Sequence, residues 1–172
     1  DIGAGSTDVA LVDEKGHVKS AHLAGAGNLI TMLIQSELGL SSFSEAEAIK
    51  KNPLAKIENL YQIRYENGDV HFFNKPLEPK YYGHIVAVTD SFDLIIIDTK
   101  DSMEHVRRVR RQAKKKVVRE NIERAMELIE MDNSFRKNIV LVGGTVLDFE
   151  LSNIFSTAYL YISWLFETMM LL

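Results

Sequence analysis

The sequence predicts a mixed α/β domain, a β-sheet with flanking helices. Three observations carry this reading: short β-branched runs punctuated by turn residues, stretches in which apolar residues recur at helical spacing, and an apolar run that ends directly in Gly143-Gly144.

Val9–Asp13 and His17–Leu23 read as strands joined by Glu14-Lys15-Gly16. Asn28 is the expected N-cap of a helix reaching Leu38, with Leu29, Ile30, Leu33, Ile34 and Leu38 on its apolar side and Gly39 as its stop. Ser44 with Glu47 reads as the capping box of a shorter helix that Asn52-Pro53 ends. Leu60–Glu66 and Asp69–Phe73 flank Asn67-Gly68, a dipeptide suited to a type I′ turn. His84–Thr89 and Asp93–Asp98 form a further strand pair. A long helix is expected from about Asp101 to about Met131, with Val106, Val109, Ala113 and Val117 as its stripe and Ile122, Ala125 and Ile129 continuing it. Asn138–Val142 is the last expected strand. There is no internal repeat and no interdomain linker.

The chain has 172 residues, a size that buries a sizeable core, and no cysteine. That excludes disulfide scaffolding, thiolate zinc sites and a cysteine nucleophile. It begins at Asp1 inside a glycine-rich run and reads as a piece of something longer; no signal segment opens it, so cytoplasm is the expected location. The net charge of −4 conceals an asymmetry. Arg107, Arg108, Arg110, Arg111, Lys114, Lys115, Lys116 and Arg119 follow one another without an acid, so the rest of the chain is strongly acidic. A solvated helix face is the preferred reading of that run, ahead of a wall beside an anionic nucleotide. Nucleic-acid binding comes last, because no aromatics interleave the cations. The five histidines lack metal-ligand spacing, although His17 and His22 lie on one strand.

Asp1-Ile2-Gly3-Ala4-Gly5-Ser6-Thr7-Asp8 is the most informative stretch. Its glycines allow successive N–H groups to converge on phosphate oxygens, Ser6 and Thr7 add hydroxyls, and Asp1 and Asp8 are carboxylates that hold Mg²⁺ through water. No Lys follows, and Asp8 stands where a dinucleotide fingerprint needs its third glycine. From spacing alone, phosphate binding and an ordinary hairpin entrance remain equally open. Gly143-Gly144, after its apolar strand, suits a backbone lying flat under a base or ribose. Close strand–helix packing is the alternative for that turn alone; two such turns strengthen the binding reading.

DIGAGSTD at 1–8 resembles the second phosphate loop of the actin, sugar-kinase and seventy-kilodalton chaperone superfamily, and LVGG at 141–144 resembles its adenosine loop. HLAGAGN (22–28), ELGL (37–40), AEAIKKNPLAK (46–56), RYENGDVHFF (64–73), VRRQAKKKV (109–117) and LVGGTVLDFE (141–150) narrow this resemblance. Together they are similar to the ATPase-like domain of the large subunit of diol and glycerol dehydratase reactivating factors, over about residues 1–158.

The resemblance implies a ribonuclease-H-like, actin-like ATPase lobe. Residues 1–172 would be a partial domain, the second lobe, with a small β-rich insertion at about 54–98. It implies a chaperone that releases damaged cobalamin from adenosylcobalamin-dependent diol or glycerol dehydratase, coupled to ATP or ADP and Mg²⁺. The expected partners are the factor's small subunit and the dehydratase, with no nucleic acid and no membrane. Carried over by position, Gly3, Ala4, Gly5, Ser6 and Thr7 face the phosphates. Asp1 and Asp8 are the catalytic and metal-holding carboxylates, Gly143 and Gly144 meet the adenosine, and Lys115 and Arg119 border the adenine. The superfamily pattern has a carboxylate near Lys115.

This stretch lacks the first lobe's phosphate loop, so ATP hydrolysis is expected of a complete two-lobed protein and not of this stretch alone. The alternatives are a small-molecule kinase of the same superfamily, with Asp1 or Asp8 as its carboxylate, and a non-catalytic interaction domain. The end departs from the family: Leu151–Leu172 carries only Glu167 as a charge, yet Ser152, Asn153, Ser156, Thr157, Ser163 and Thr168 interrupt it. A buried or altered terminal helix is expected there ahead of a membrane span.

Overall fold

The structure, a computed structural model, describes residues 1–13, 15–129, 140–150 and 154. The chain forms two compact units, one from Asp1–Leu29 with Lys114–Leu172 and the other from Ile30–Ala113. It passes between them within α1 (Gly27–Glu37) and within α3 (Met103–Leu128).

The first unit contains β1 (Ser6–Val12) and β2 (Val18–Ala24), an antiparallel pair with Asp8 opposite His22 and Thr7 opposite Leu23. Alternation puts Thr7 and Leu23 on the buried face and Asp8 and His22 on the exposed one. α3 lays Val117, Val118 and Ala125 into this unit's interior, and Ile129, just after it, is buried as well. The expected strand Asn138–Val142 falls partly outside the described residues. Its described part, 140–142, is not a ladder strand; one bond, from Ile2 N–H to the Val142 carbonyl at 2.9 Å, ties it to the chain's start. After Gly143 the chain turns into a short 3₁₀ helix, Gly144–Leu147.

In the second unit α2 (Phe43–Lys51) packs beside a five-stranded antiparallel sheet ordered β5-β4-β3-β6-β7. Its strands are β3 (Leu54–Asn59), β4 (Gln62–Tyr65), β5 (Val70–Phe72), β6 (Ile85–Val88) and β7 (Leu94–Ile97). One sheet face carries Ala55, Ile57, Ile63, Val86 and Val88, covered in part by Phe73, Leu77 and Tyr81 from the segment after the edge strand β5. The unit thus includes helical residues on either side of the β-rich stretch.

Several local expectations shift. α1 begins at Gly27, one residue before the expected cap; it ends as expected at Gly39 (φ +60°), with Leu40 N–H on the Gln35 carbonyl and Gly39 N–H on that of Ser36. The cap of α2 is Ser42, whose hydroxyl accepts from Glu45 N–H, and not Ser44. Glu47 is drawn instead to Lys50, Lys51 and Thr31. α3 starts after Ser102, whose hydroxyl accepts from His105 N–H, because Asp101 is occupied with Thr99.

The Asn67-Gly68 turn is not type I′. Tyr65 N–H bonds the Asp69 carbonyl and Gly68 N–H the Tyr65 carbonyl, so three residues form the loop and only Gly68 (φ +95°) is left-handed. Glu66, just past β4, keeps its N–H on the Leu54 carbonyl of β3 at 2.9 Å and meets Arg110, whose side chain is fully buried, through two 2.9 Å bonds. The β6–β7 loop has the same plan, with Phe92 (φ +65°) in the position that Gly68 fills in the other hairpin.

The solvated reading of the basic run also needs correction. Arg108, Arg111, Lys115, Lys116 and Arg119 are exposed, but Arg110 and Lys114 have no accessible side chain. No helix of the described residues is long and apolar enough to cross a membrane, and the apolar stretch 151–172 lies almost wholly outside them.

Candidate functional site

The glycine-rich start folds back on itself. Asp1 N donates to the Asp8 carbonyl at 2.7 Å, Asp8 N–H to the Asp1 carbonyl at 2.8 Å, and Gly3 N–H to the Ser6 carbonyl at 3.0 Å. Ile2 bridges Thr7 between them. Residues 1–3 therefore run antiparallel to the start of β1, and Ala4-Gly5 is the exposed tip of a tight turn. Ser6, Thr7 and Asp8 belong to the strand.

The stretch Gly25-Ala26-Gly27-Asn28 fixes the orientation of that tip. Gly27 N–H donates to the Gly3 carbonyl at 3.1 Å, Asn28 N–H to that of Ala4 at 2.7 Å, and Gly25 N–H to that of Gly5 at 2.8 Å. Three consecutive carbonyls are thus held by the β2–α1 junction. Among the described residues the N–H groups of Ala4 and Gly5 donate to nothing, and both residues are exposed. Peptide planes pinned by their oxygens turn such N–H groups outward, the arrangement of an anion-binding nest. The free N–H groups at the start of α1 are spent on the loop, so the positive end of the helix lies directly behind it. A Cβ on Gly5 would meet nothing within 4 Å, so the glycine leaves open space on the exposed side.

The two glycine turns adjoin. Thr145 N–H donates to the Ile2 carbonyl at 3.1 Å and Thr145 Oγ1 to the Gly3 carbonyl at 2.8 Å. Gly143 has φ +100°, and a Cβ there would strike the Asp1 carboxylate and stand 2.6 Å from the Ile2 carbonyl oxygen. Only glycine fits. Gly27 is close-packed as well, its missing Cβ lying 2.9 Å from Thr145 Oγ1.

Asp1 and Asp8 are opposite one another across the folded-back start, which sets their side chains on one face. His22 is the next residue across β2, its Nδ1 on Asp8 Oδ1, and Ser6 Oγ donates to Asp8 Oδ2 at 3.3 Å. The His22 hydrogen bond holds the Asp8 carboxyl below its ordinary range. No group of three or more His, Asp or Glu among the described residues converges on a point that would hold a metal. Two opposed carboxylates still suit Mg²⁺, which takes one or two protein carboxylates and fills its shell with phosphate oxygens and water.

Other expected residues are located differently. Thr7 is buried and its hydroxyl donates to the Gly25 carbonyl at 3.1 Å, so it supports the loop from beneath and does not present a donor beside Ala4 and Gly5. Lys115 is exposed; Arg119 is exposed and pairs with Glu123 at 2.7 Å. The cation attached to the second turn's own segment is Lys114, at 2.7 Å from Asp148 and 3.0 Å from Glu150, with its Nζ 4.8 Å above the Phe149 ring. Sequence reasoning gives no role at the site to Lys114, Asn121, Thr145 or the Gly25–Asn28 junction, although HLAGAGN (22–28) and LVGGTVLDFE (141–150) carry part of the resemblance. Repetition of glycine in 25–27, next to an apolar run, was the available signal for that junction.

The sequence profile described as the diol dehydratase reactivase ATPase-like domain matches residues 1–162. Over 160 residues, 92% of this chain, the sequence is 42% identical to the diol dehydratase-reactivating factor large subunit of Klebsiella michiganensis. It is 41% identical to the propanediol dehydratase-reactivating factor large subunit of Citrobacter freundii. The chain spans 26% of the length of each relative. Among solved structures it is similar to a glycerol dehydratase reactivase (TM-score 0.83, 45% identity, 92% of this chain and 27% of that one). It is also similar to a diol dehydratase-reactivating factor in nucleotide-free form (TM-score 0.87, 41% identity, 94% and 27%). The mixed α/β fold with antiparallel sheets and flanking helices thus matches the corresponding part of the reactivase structures.

Proposed function

The chain belongs to the diol dehydratase reactivase ATPase-like domain family, and on that premise we propose that it supplies the phosphate-holding turn of a reactivating factor's large subunit. In this reading the protein is a chaperone for an adenosylcobalamin-dependent diol or glycerol dehydratase. It loosens the enzyme's hold on damaged cobalamin so that intact cofactor can enter, and ATP or ADP binding drives the change. A nucleotide can do so only by binding one conformation better than another.

The observation that carries the proposal is the outward pair of N–H groups at Ala4 and Gly5, left over because the carbonyls of Gly3, Ala4 and Gly5 are held from behind. Two phosphate oxygens are the complementary ligand. Asp1 and Asp8 would hold Mg²⁺ through water, and its charge would relieve the repulsion of two carboxylates directly across from each other. Bound Mg²⁺ would neutralise phosphate charge. Ser6 orients Asp8, His22 braces it from the other side, and Gly143 with Gly144 lies toward the adenosine. Lys115 and Arg119 are the adenine-side cations of this reading.

The same reading makes the unit containing Asp1–Leu29 part of a second lobe and the sheet between residues 54 and 98 an insertion in it. Hydrolysis requires groups from a facing lobe, so it belongs to the complete protein. The expected partners are the small subunit and the dehydratase, in the cytoplasm, without nucleic acid. The family displaces the kinase alternative.

Calorimetric titration of the full-length gene product with Mg-ADP and Mg-ATP tests the site, and absence of heat with both sinks it. Recovery of glycerol-inactivated dehydratase by the two-subunit factor, with ATP and fresh adenosylcobalamin, tests the chaperone role. No recovery rejects that role even if nucleotide binds.

A further inference from the structure

Asn121 is a polar side chain on the buried stripe of α3, between Val117, Val118 and Ala125. An amide in such a place costs free energy unless its donors are used. Asn121 Nδ2 donates to the Gly25 carbonyl at 2.6 Å and to Thr7 Oγ1 at 2.9 Å, and Thr7 Oγ1 donates to the same Gly25 carbonyl at 3.1 Å. The three groups form a closed triangle beneath the turn. Two corners lead to the tip: Gly25 holds the Gly5 carbonyl through its own N–H, and Thr7 stands two residues along the chain from Gly5. Gly25 has φ +94°, a conformation with no β-strand ladder to sustain it beyond β2.

We propose that Asn121 is the positioning residue of the anion-binding turn, an inference that rests on the nucleotide reading above. By fixing the Gly25 carbonyl it anchors the start of the Gly25–Asn28 junction, whose Gly27 and Asn28 N–H groups hold the Gly3 and Ala4 carbonyls and so set the direction of the Ala4 and Gly5 N–H groups in the same two peptide planes. Removing the amide leaves the fold its apolar contacts but frees the peptide plane of the Gly25 carbonyl to rotate. The loss falls on phosphate binding and not on binding of the base and ribose.

The test compares Mg-ADP with adenosine, the latter by competition, on the full-length gene product. Asn121→Leu should weaken Mg-ADP about 10- to 100-fold and leave adenosine within about twofold. Glu47→Gln, which disturbs a polar network in the other unit, should leave both within about twofold. Should Asn121→Leu fail to fold, Thr7→Val removes another corner of the triangle and should show the same selective loss, which Thr7→Ser restores. Unchanged Mg-ADP affinity, or parallel losses for ADP and adenosine, overturns the proposal. Failure of the unaltered protein to bind Mg-ADP overturns the nucleotide reading itself, and this inference with it.

Discussion

Asn28 N–H donates to the Ala4 carbonyl at 2.7 Å, so the first turn of α1 is capped by the very loop whose exposed side faces solvent. Helix capping and anion binding are usually alternatives for the same N–H groups. Here the helix gives its donors to the loop's carbonyls, and the loop's own N–H groups become available on the far side. Gly5→Ala tests this division. Its Cβ meets nothing within 4 Å and the residue has no left-handed φ, so stability by urea unfolding should stay within about 0.5 kcal/mol. Mg-ADP affinity should fall, because the methyl group occupies the space a phosphate must enter. An equal affinity would show that ligand does not approach Gly5.

Gly143 and Gly144 are adjacent in sequence and opposite in consequence. A Cβ on Gly143 runs into Asp1 and Ile2 at a φ of +100°, whereas one on Gly144 meets nothing. Gly143→Ala should destabilise by about 3 kcal/mol, from backbone strain added to the clash. Gly144→Ala should stay within about 0.5 kcal/mol. Chemical denaturation of both variants checks this, and equal effects would contradict the contact between the two turns.

The sequence exposes what depends on near neighbours. Val106, Val109, Ala113 and Val117 are buried as their spacing requires, and Gly39 ends α1 by the bonds expected of a glycine there. Distant partners change the rest. Arg110 and Lys114 look like their neighbours in a basic run, and nothing local marks them as buried. They are buried because Glu66, 44 residues away, and Asp148 and Glu150, 34 and 36 residues away, neutralise them. Glu66, the partner of Arg110, is also the first residue of the three-residue loop that stands in place of the expected two-residue turn. At the site, the glycine motif was legible as a phosphate loop or a hairpin turn, and the geometry is that of a hairpin turn with outward N–H groups. The choice depended on which groups hold its carbonyls, and these come from residues 25–28.

Lys114 makes the cost of such pairing measurable. Its ammonium is fully buried between Asp148 and Glu150, whose side chains are nearly so. Lys114→Met should destabilise by about 3–5 kcal/mol, since it leaves carboxylates buried without their cation. Lys115→Ala, one residue on and exposed, should stay within about 0.5 kcal/mol. Urea midpoints of the two variants give the comparison.

Glu47 predicts the acid limb of stability. Burial alone would raise its pKa, but hydrogen bonds from Lys50, Thr31 and Lys51 outweigh that and bring it from 4.5 to about 2. A carboxyl with a depressed folded pKa stabilises fully above its unfolded value, and that contribution is lost as protons bind on the way down. Stability should therefore be flat with respect to this group above about pH 5 and decline between 4.5 and about 2. Glu47→Gln should cost about 2 kcal/mol at pH 7, because Lys50 is buried and loses its charged partner. The variant should also show a shallower decline below pH 4.5 than the unaltered chain. Urea unfolding at pH 7, 4.5 and 3 separates the outcomes: parallel curves for the two proteins would mean that the Glu47–Lys50 pair contributes nothing to folding.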